Sequence, residues 1–308
     1  MLAQEARGTV ATALPVQYRR RPRRAGRYYL LVAPALLLSV LVVLIPAVLT
    51  GIAAFTNWNG ISLRFGWVGF ANFRAIFADP TFRTALLDNV KWAGMFLTFP
   101  VALALATSFL LLRRPRTRTI YQVLFLIPYV LAPVTNAILW LNIIYDPVAG
   151  LWAWLESHGL VGQAPLGSTH AALYAVAGVN IWNFWGFLMV VYLAALRQTP
   201  PDQIEAARVE GASTGQLFRH IYLPNIMPTV LLMFVMETIF SFLAFDYIYL
   251  LTQGGPANSS QVLSTYAYTF AFKDYEFGMA AAVSLVMSFF GLLAGFFYVL
   301  LSRREYAA

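Results

Sequence analysis

The chain has 308 residues, 60% of them hydrophobic and only 11% charged. A soluble domain of this length needs far more polar surface to enclose its core, so the balance excludes an ordinary soluble protein and points to a bilayer as solvent. Cysteine is absent, which excludes disulfides, thiolate metal sites and thiol catalysis.

The formal charge of +8 is unevenly distributed. Arg19, Arg20, Arg21, Arg23, Arg24 and Arg27 stand directly before an apolar run, where basic residues orient a membrane helix and meet anionic lipid headgroups. No aromatic-interleaved basic surface accompanies them, so nucleic acid is not an expected partner. Residues 1–27 read as a basic cytoplasmic tail, and residues 28–308 as one membrane domain without repeats or linkers.

Crossing a hydrocarbon core of about 30 Å takes about 20 apolar residues. Six runs qualify: Tyr29–Phe55, Trp92–Leu112, Ile120–Tyr145, Ala172–Leu196, Ile226–Leu251 and Met279–Leu301. The first is too long for a signal-peptide core and lacks a small-x-small cleavage site, so it is expected to stay as a span. Pro34, Pro46, Pro100, Pro128 and Pro133 fall inside spans, where each removes a helix hydrogen bond and predicts a kink. Between the first two spans, Phe70, Phe73, Ile76 and Phe77 share a helical face, with Trp58 and Trp67 upstream at an expected interfacial depth. With the amino terminus inside, sixteen of the 21 Lys and Arg fall on inner segments and five on outer ones. That bias predicts both termini in the cytoplasm.

The loop of residues 197–224 predicts two short helices. Asp202 suits an N-cap with Glu205 three residues on, and Gly211 suits a left-handed stop. Ser213 with Gln216 repeats the capping pattern, and Pro224 is expected to limit the second helix. Ala206 and Ala207 leave a shallow surface for another protein's backbone.

Ionisable groups inside a membrane are costly, so Glu237 near the middle of span five and Asp246 near its outer end are candidates for function. At about 100° per residue their nine-residue separation predicts opposite faces and no shared site. Glu237, Ser241 and Ala244 form one stripe. Span four offers a matching one of Asn180, Asn183, Phe184 and Phe187. Amides and a carboxylate bond solute hydroxyls, and rings cover apolar faces; the same groups read equally as bonds between helices. Tyr129, Asn136 and Trp140 on span three are expected to pack. His158 and His170 lie in an outer segment and His220 in the loop, and neither HExxH nor GxSxG occurs, so no catalytic site is expected. The chain also lacks GxxxxGK[ST] and has no such means of binding ATP.

Glu205-Ala206-Ala207, then Gly211, then Ile221, Leu223 and Pro224, resembles the signature loop of the permease subunits of binding-protein-dependent ABC importers. Phe245-Asp246, Leu251-Thr252, Gly254-Gly255-Pro256, Phe277-Gly278, Val68-Gly69-Phe70 and Asn72-Phe73 resemble the sugar and glycerol-phosphate branch. The resemblance implies an all-α membrane protein: a six-helix type I importer permease with cytoplasmic coupling helices in a bacterial inner membrane. It also implies that Glu205, Ala206, Ala207, Gly211 and Ala212 couple to an ATPase. The implied partners are a second homologous permease, two ATP-binding-cassette subunits or domains that hold the ATP and Mg, an extracytoplasmic solute-binding protein and a sugar solute. The sugar-facing positions of maltose-type permeases fall on Asn180, Asn183, Phe184, Phe187, Glu237, Ser241 and Ala244, and only Asn180 keeps the residue type expected there. A glycerol-phosphate or polyol permease is the alternative solute class. A secondary transporter is the rival mechanism, but has no need of the two-helix loop.

Overall fold

The computed structural model describes residues 25–62 and 64–305. Most of the expected basic tail, including Arg19 to Arg24, therefore lies outside the described residues. Among those described, structure is helical, apart from one isolated bridge between Thr56 and Trp67. Contacts divide the chain after Val48. Before that point stand α1 (Ala25–Ser39), a π turn (Val40–Leu44) and the start of α2 (Ile45–Ala53). The packing described below is that of residues from Leu49 onward.

The π turn explains how Pro46 is tolerated. A proline ring clashes with the carbonyl four residues back. Here the N–H of Ile45 bonds instead to the Val40 carbonyl, five residues back, and the wider turn makes room. The chain repeats this device before Pro224. There α10 (Thr214–Leu217) passes into a π turn (Phe218–Tyr222), the Leu223 N–H bonds to the Phe218 carbonyl, and α11 (Leu223–Phe242) continues. Pro224 therefore does not end the second loop helix, as its type suggested. The helical run carries straight on into the membrane.

Between the first two spans, α3 (Ala71–Ala78) buries Asn72 and Ile76, with Phe73 packed beside them. Phe70 and Phe77 keep exposed surface, while Phe70 packs on the rings of Phe55 and Phe73 and Phe77 on that of Phe82. Phe70 precedes the helix, and the inward position belongs to Asn72. Its amide donates to the Ala54 and Thr56 carbonyls at 2.9 and 2.8 Å, left open where α2 ends. The following helix, α4 (Pro80–Leu112), starts twelve residues before the expected Trp92, so Arg83 and Lys91 lie on it and not in a loop. Asp79 caps it by accepting from the Thr81 N–H at 2.8 Å, and Pro80 opens it at a position where no N–H is needed. Its 33 residues extend about 50 Å, well beyond the hydrocarbon core.

Span three is broken rather than kinked. α5 (Arg118–Val130) and α6 (Pro133–Leu139, extended by a π turn to Ile144) meet at 96°. Leu131 and Ala132 take extended conformations, as a residue before proline prefers, and Pro133 opens a new helix at its first turn. Among the described residues five helices are long and apolar enough to span by themselves, and this bent pair, counted as one span, brings the number to six.

Beyond the short helix α7 (Leu151–Ser157), α8 (Ala172–Leu196) is the central element. Its Leu188, Met189, Tyr192, Leu193 and Leu196 form a buried cluster with Val101, Ala104 and Leu111 of α4 and Ile226 and Val230 of α11. Lipid is as apolar as these side chains, so their association rests on close fit and polar bonds between helices. Gly186 shows the fit: a Cβ there would run into the Phe125 carbonyl of α5.

Span five also breaks. After Phe242 the chain leaves helical geometry for three residues before α12 (Asp246–Leu251), and α13 (Leu263–Tyr268) and α14 (Phe277–Glu305) complete the fold. Asn89 of α4, fully buried, organises this region. Its amide nitrogen donates to the Ser241 carbonyl at 2.9 Å, and its oxygen accepts the Leu263 N–H at 2.7 Å. One side chain thus satisfies the end of α11 and the start of α13.

Candidate functional site

A cavity of about 240 Å³ lies between α4, α8 and the broken end of span five. Asn180, Asn183 and Phe184 of α8 face it, with Glu237 and Phe240 of α11. Trp92 and Phe96 of α4 stack on one another at 5.2 Å between centroids and form an aromatic wall. Leu243, Ala244, Phe245, Asp246 and Tyr247 close the side where α11 gives way to α12.

Glu237 is the unusual member. It is 1% exposed, and neither carboxyl oxygen has a hydrogen-bond partner among the described residues. A buried polar group without a partner costs on the order of 1–3 kcal/mol, more when charged, which makes Glu237 a candidate for a functional role.

Asp246 lines the same cavity. This overturns the expectation that Glu237 and Asp246 share no site. The rotation of about 100° per residue holds only along an unbroken helix, and the three non-helical residues 243–245 reset it.

Of the other expected contacts, Asn180, Asn183 and Phe184 are brought to the cavity, but Phe187 and Ser241 do not line it. Phe187 stacks on Tyr129 at 4.7 Å, filling the space between α8 and α5. Ser241 is buried, and its backbone carbonyl accepts from Asn89 of α4. Asn183 serves two ends: its amide nitrogen donates to the Pro128 carbonyl, orphaned by the break in span three. Asn136 donates to the same carbonyl at 3.4 Å and to the Tyr247 hydroxyl at 3.0 Å, joining α6 to α12. The two broken spans are thereby tied together beside the cavity. Tyr129, Asn136 and Trp140 all pack, as expected of them. The aromatic wall was missed because Trp92 reads as the first residue of a span, and it lies within one only when α4 is seen to start at Pro80.

The loop between spans four and five is a second candidate site. α9 (Pro201–Val209) is opened by Pro201, so Asp202 lies within the first turn and makes no capping bond, contrary to its expected role. Its charge still favours that end of the helix dipole. The other end is as expected. Gly211 has φ +83°, the Ala212 N–H reaches the Ala207 carbonyl at 2.9 Å, and the Gly211 N–H reaches Arg208 at 3.0 Å. This is a Schellman stop. Ser213 and Gln216 then form a reciprocal capping box. Ala207, Gly211 and Ala212 border a surface hollow of about 330 Å³ with Glu210, Gln216, His220 and Ile221. Glu205 and Ala206 are exposed beside it, and Val209 is 88% exposed. Asn225 anchors the loop to the foot of α11 by donating to Gln203 at 2.9 Å.

Apolar spans around a polar-lined cavity, with a rigid capped loop leading straight into one of them, make a transport permease. The chain belongs to the family of binding-protein-dependent transport system inner membrane components, which it matches over residues 98–305, and is an ABC transporter permease. It is 33% identical to a probable ABC transporter permease protein of Pyrococcus horikoshii, over 84% of this chain and 90% of that one. It is 28% identical to a probable starch degradation products transport system permease protein, AmyD, of Thermoanaerobacterium thermosulfurigenes, over 84% and 88%. In fold it is similar to a chain of a bacterial alginate ABC transporter solved with an alginate pentasaccharide-bound periplasmic protein, with TM-score 0.80, 24% identity, and coverage of 92% and 96%.

Proposed function

We propose that this chain forms half of the solute pathway of an ATP-driven importer for a sugar or oligosaccharide. An extracytoplasmic binding protein delivers the solute, and a second, homologous permease completes the pathway. Two ATP-binding-cassette subunits or domains hold ATP and Mg beneath it, and this chain has no catalytic role. Both termini lie in the cytoplasm, on the side of the 197–224 loop. The observation that carries the reading is the unpartnered Glu237 carboxyl inside an aromatic-walled cavity, where sugar hydroxyls supply donors and rings cover the apolar faces of the sugar. Asn180, Asn183, Phe184 and Glu237 make the contacts, while Phe187 and Ser241 support them from behind. The relative named for starch degradation products favours a glucan-like solute.

Glu205, Ala206, Ala207, Gly211 and Ala212 form the seat for the ATPase. Closure of the nucleotide-binding subunits pushes this seat, and the continuous run from α10 into α11 conveys the push to Glu237 and the cavity.

The test is transport by the reconstituted assembly. Glu237→Gln is expected to lower solute uptake at least about tenfold, the equivalent of about 1.4 kcal/mol, while assembly with the partner subunits is kept. Uptake and solute preference equal to wild type would remove Glu237 from the pathway.

A further inference from the structure

The cavity is electrically one-sided. Glu237 and Asp246 both line it, and among the described residues no Lys, Arg or His does. Lys91, one residue before the aromatic wall, is engaged with Asp88 at 2.8 Å and half-exposed. The walls add the negative faces of aromatic rings, which favour cations over anions. Asn183 commits an amide N–H to the Pro128 carbonyl. The polar inventory is therefore rich in acceptors and poor in positive charge. An anionic solute would meet two carboxyl groups, Glu237 buried in the wall and Asp246 exposed at the cavity's edge, with no cation there to pair with it.

We propose that Glu237 and Asp246 together act as a charge filter, so that the pathway admits uncharged or basic hydroxyl-rich glycosides and turns away anionic ones such as uronate oligosaccharides and sugar phosphates. This rests on the reading of the cavity as the solute pathway. It sets the chain apart from a transporter of acidic polysaccharide that shares its fold. The filter arises from the break in span five, which swings Asp246 round to the face occupied by Glu237.

The natural absence of cysteine allows a direct test that does not require knowledge of the solute. Ala244→Cys places one thiol on the cavity wall, with Leu243→Cys as a second position on the same wall. In membrane vesicles carrying the full assembly, each thiol is challenged at mildly alkaline pH with two methanethiosulfonates of matched size, one a quaternary ammonium and one a sulfonate. The thiolate attacks the reagent's sulfenyl sulfur, forming a mixed disulfide and releasing methanesulfinate. The cation-to-anion rate ratio, divided by that of a free thiol in solution, is expected to be about tenfold or more. It should fall at least about threefold in Glu237→Gln and be kept in Glu237→Asp. A ratio equal to that in solution would overturn the filter and leave the pathway reading standing. Thiols inert to both reagents, with and without ATP, in an assembly that copurifies intact would overturn the pathway reading and the filter with it.

Discussion

At the scale of single residues, the fold depends on a few positions where a backbone comes close or a polar atom is held. Gly186 is one, because its Cα faces the Phe125 carbonyl of α5 with no room for a methyl group. Gly186→Ala should separate α5 from α8 and cost about 1–3 kcal/mol through overpacking. A lowered thermal unfolding midpoint in detergent would register it, whereas an unchanged midpoint would contradict the close approach. Asp79 is another. Burial works to raise its carboxyl, but hydrogen bonds from the Tyr266 hydroxyl and from Thr81 outweigh it and hold it below its ordinary 3.8. A depressed folded-state value adds stability above the unfolded value, lost as pH falls through the folded one. The stability advantage of wild type over Asp79→Asn should thus be complete above pH 3.8 and shrink below it, as thermal scans across that range would record.

At the scale of elements, the breaks in spans three and five matter more than the helices around them. The freed backbone groups there lie where water is scarce, and asparagines meet several of them: Asn183 and Asn136 at Pro128, and Asn89 at Ser241 and Leu263, while the Ser264 hydroxyl donates to the Ala244 carbonyl. Asn89→Ala would strip partners from a buried carbonyl and a buried N–H together, at about 1–3 kcal/mol for each group. Faster hydrogen exchange at Leu263 and over 241–247, with the α8 amides unchanged, is the expected signature. Equal exchange in both proteins would show that other groups carry the break. These bonds were not legible in the chain, because Asn89 stands 152 residues from Ser241 and 174 from Leu263. A local pattern specifies a helix, but not which distant carbonyl a buried amide will meet.

At the scale of the whole molecule, the proposed function requires that an event on the 197–224 loop reach the cavity beside Glu237. The path is short in structural terms. The Schellman stop at Gly211 fixes the loop, the capping box at Ser213 starts α10, and the π turn before Pro224 keeps the helix unbroken towards Glu237. Gly211→Asp puts a side chain where φ is +83°, a strain of about 1 kcal/mol, although no neighbour lies within 4 Å of the new Cβ. The chain should therefore insert normally and fail to retain the ATPase subunit on copurification. Full retention would argue against this loop as the seat.

What the sequence by itself determined was local or compositional: the bilayer as solvent, the membrane runs, the left-handed stop at Gly211, the capping box at Ser213, and the signature loop. Composition and short-range spacing suffice for each, since each depends on neighbours within a turn or on the solvent. Only the tertiary structure decided that Asp246 joins Glu237, that Ser241 and Phe187 do not line the cavity, and that Trp92 and Phe96 wall it. Helical periodicity carries orientation along a continuous helix and loses it at a break, and in this chain the cavity is built at the breaks.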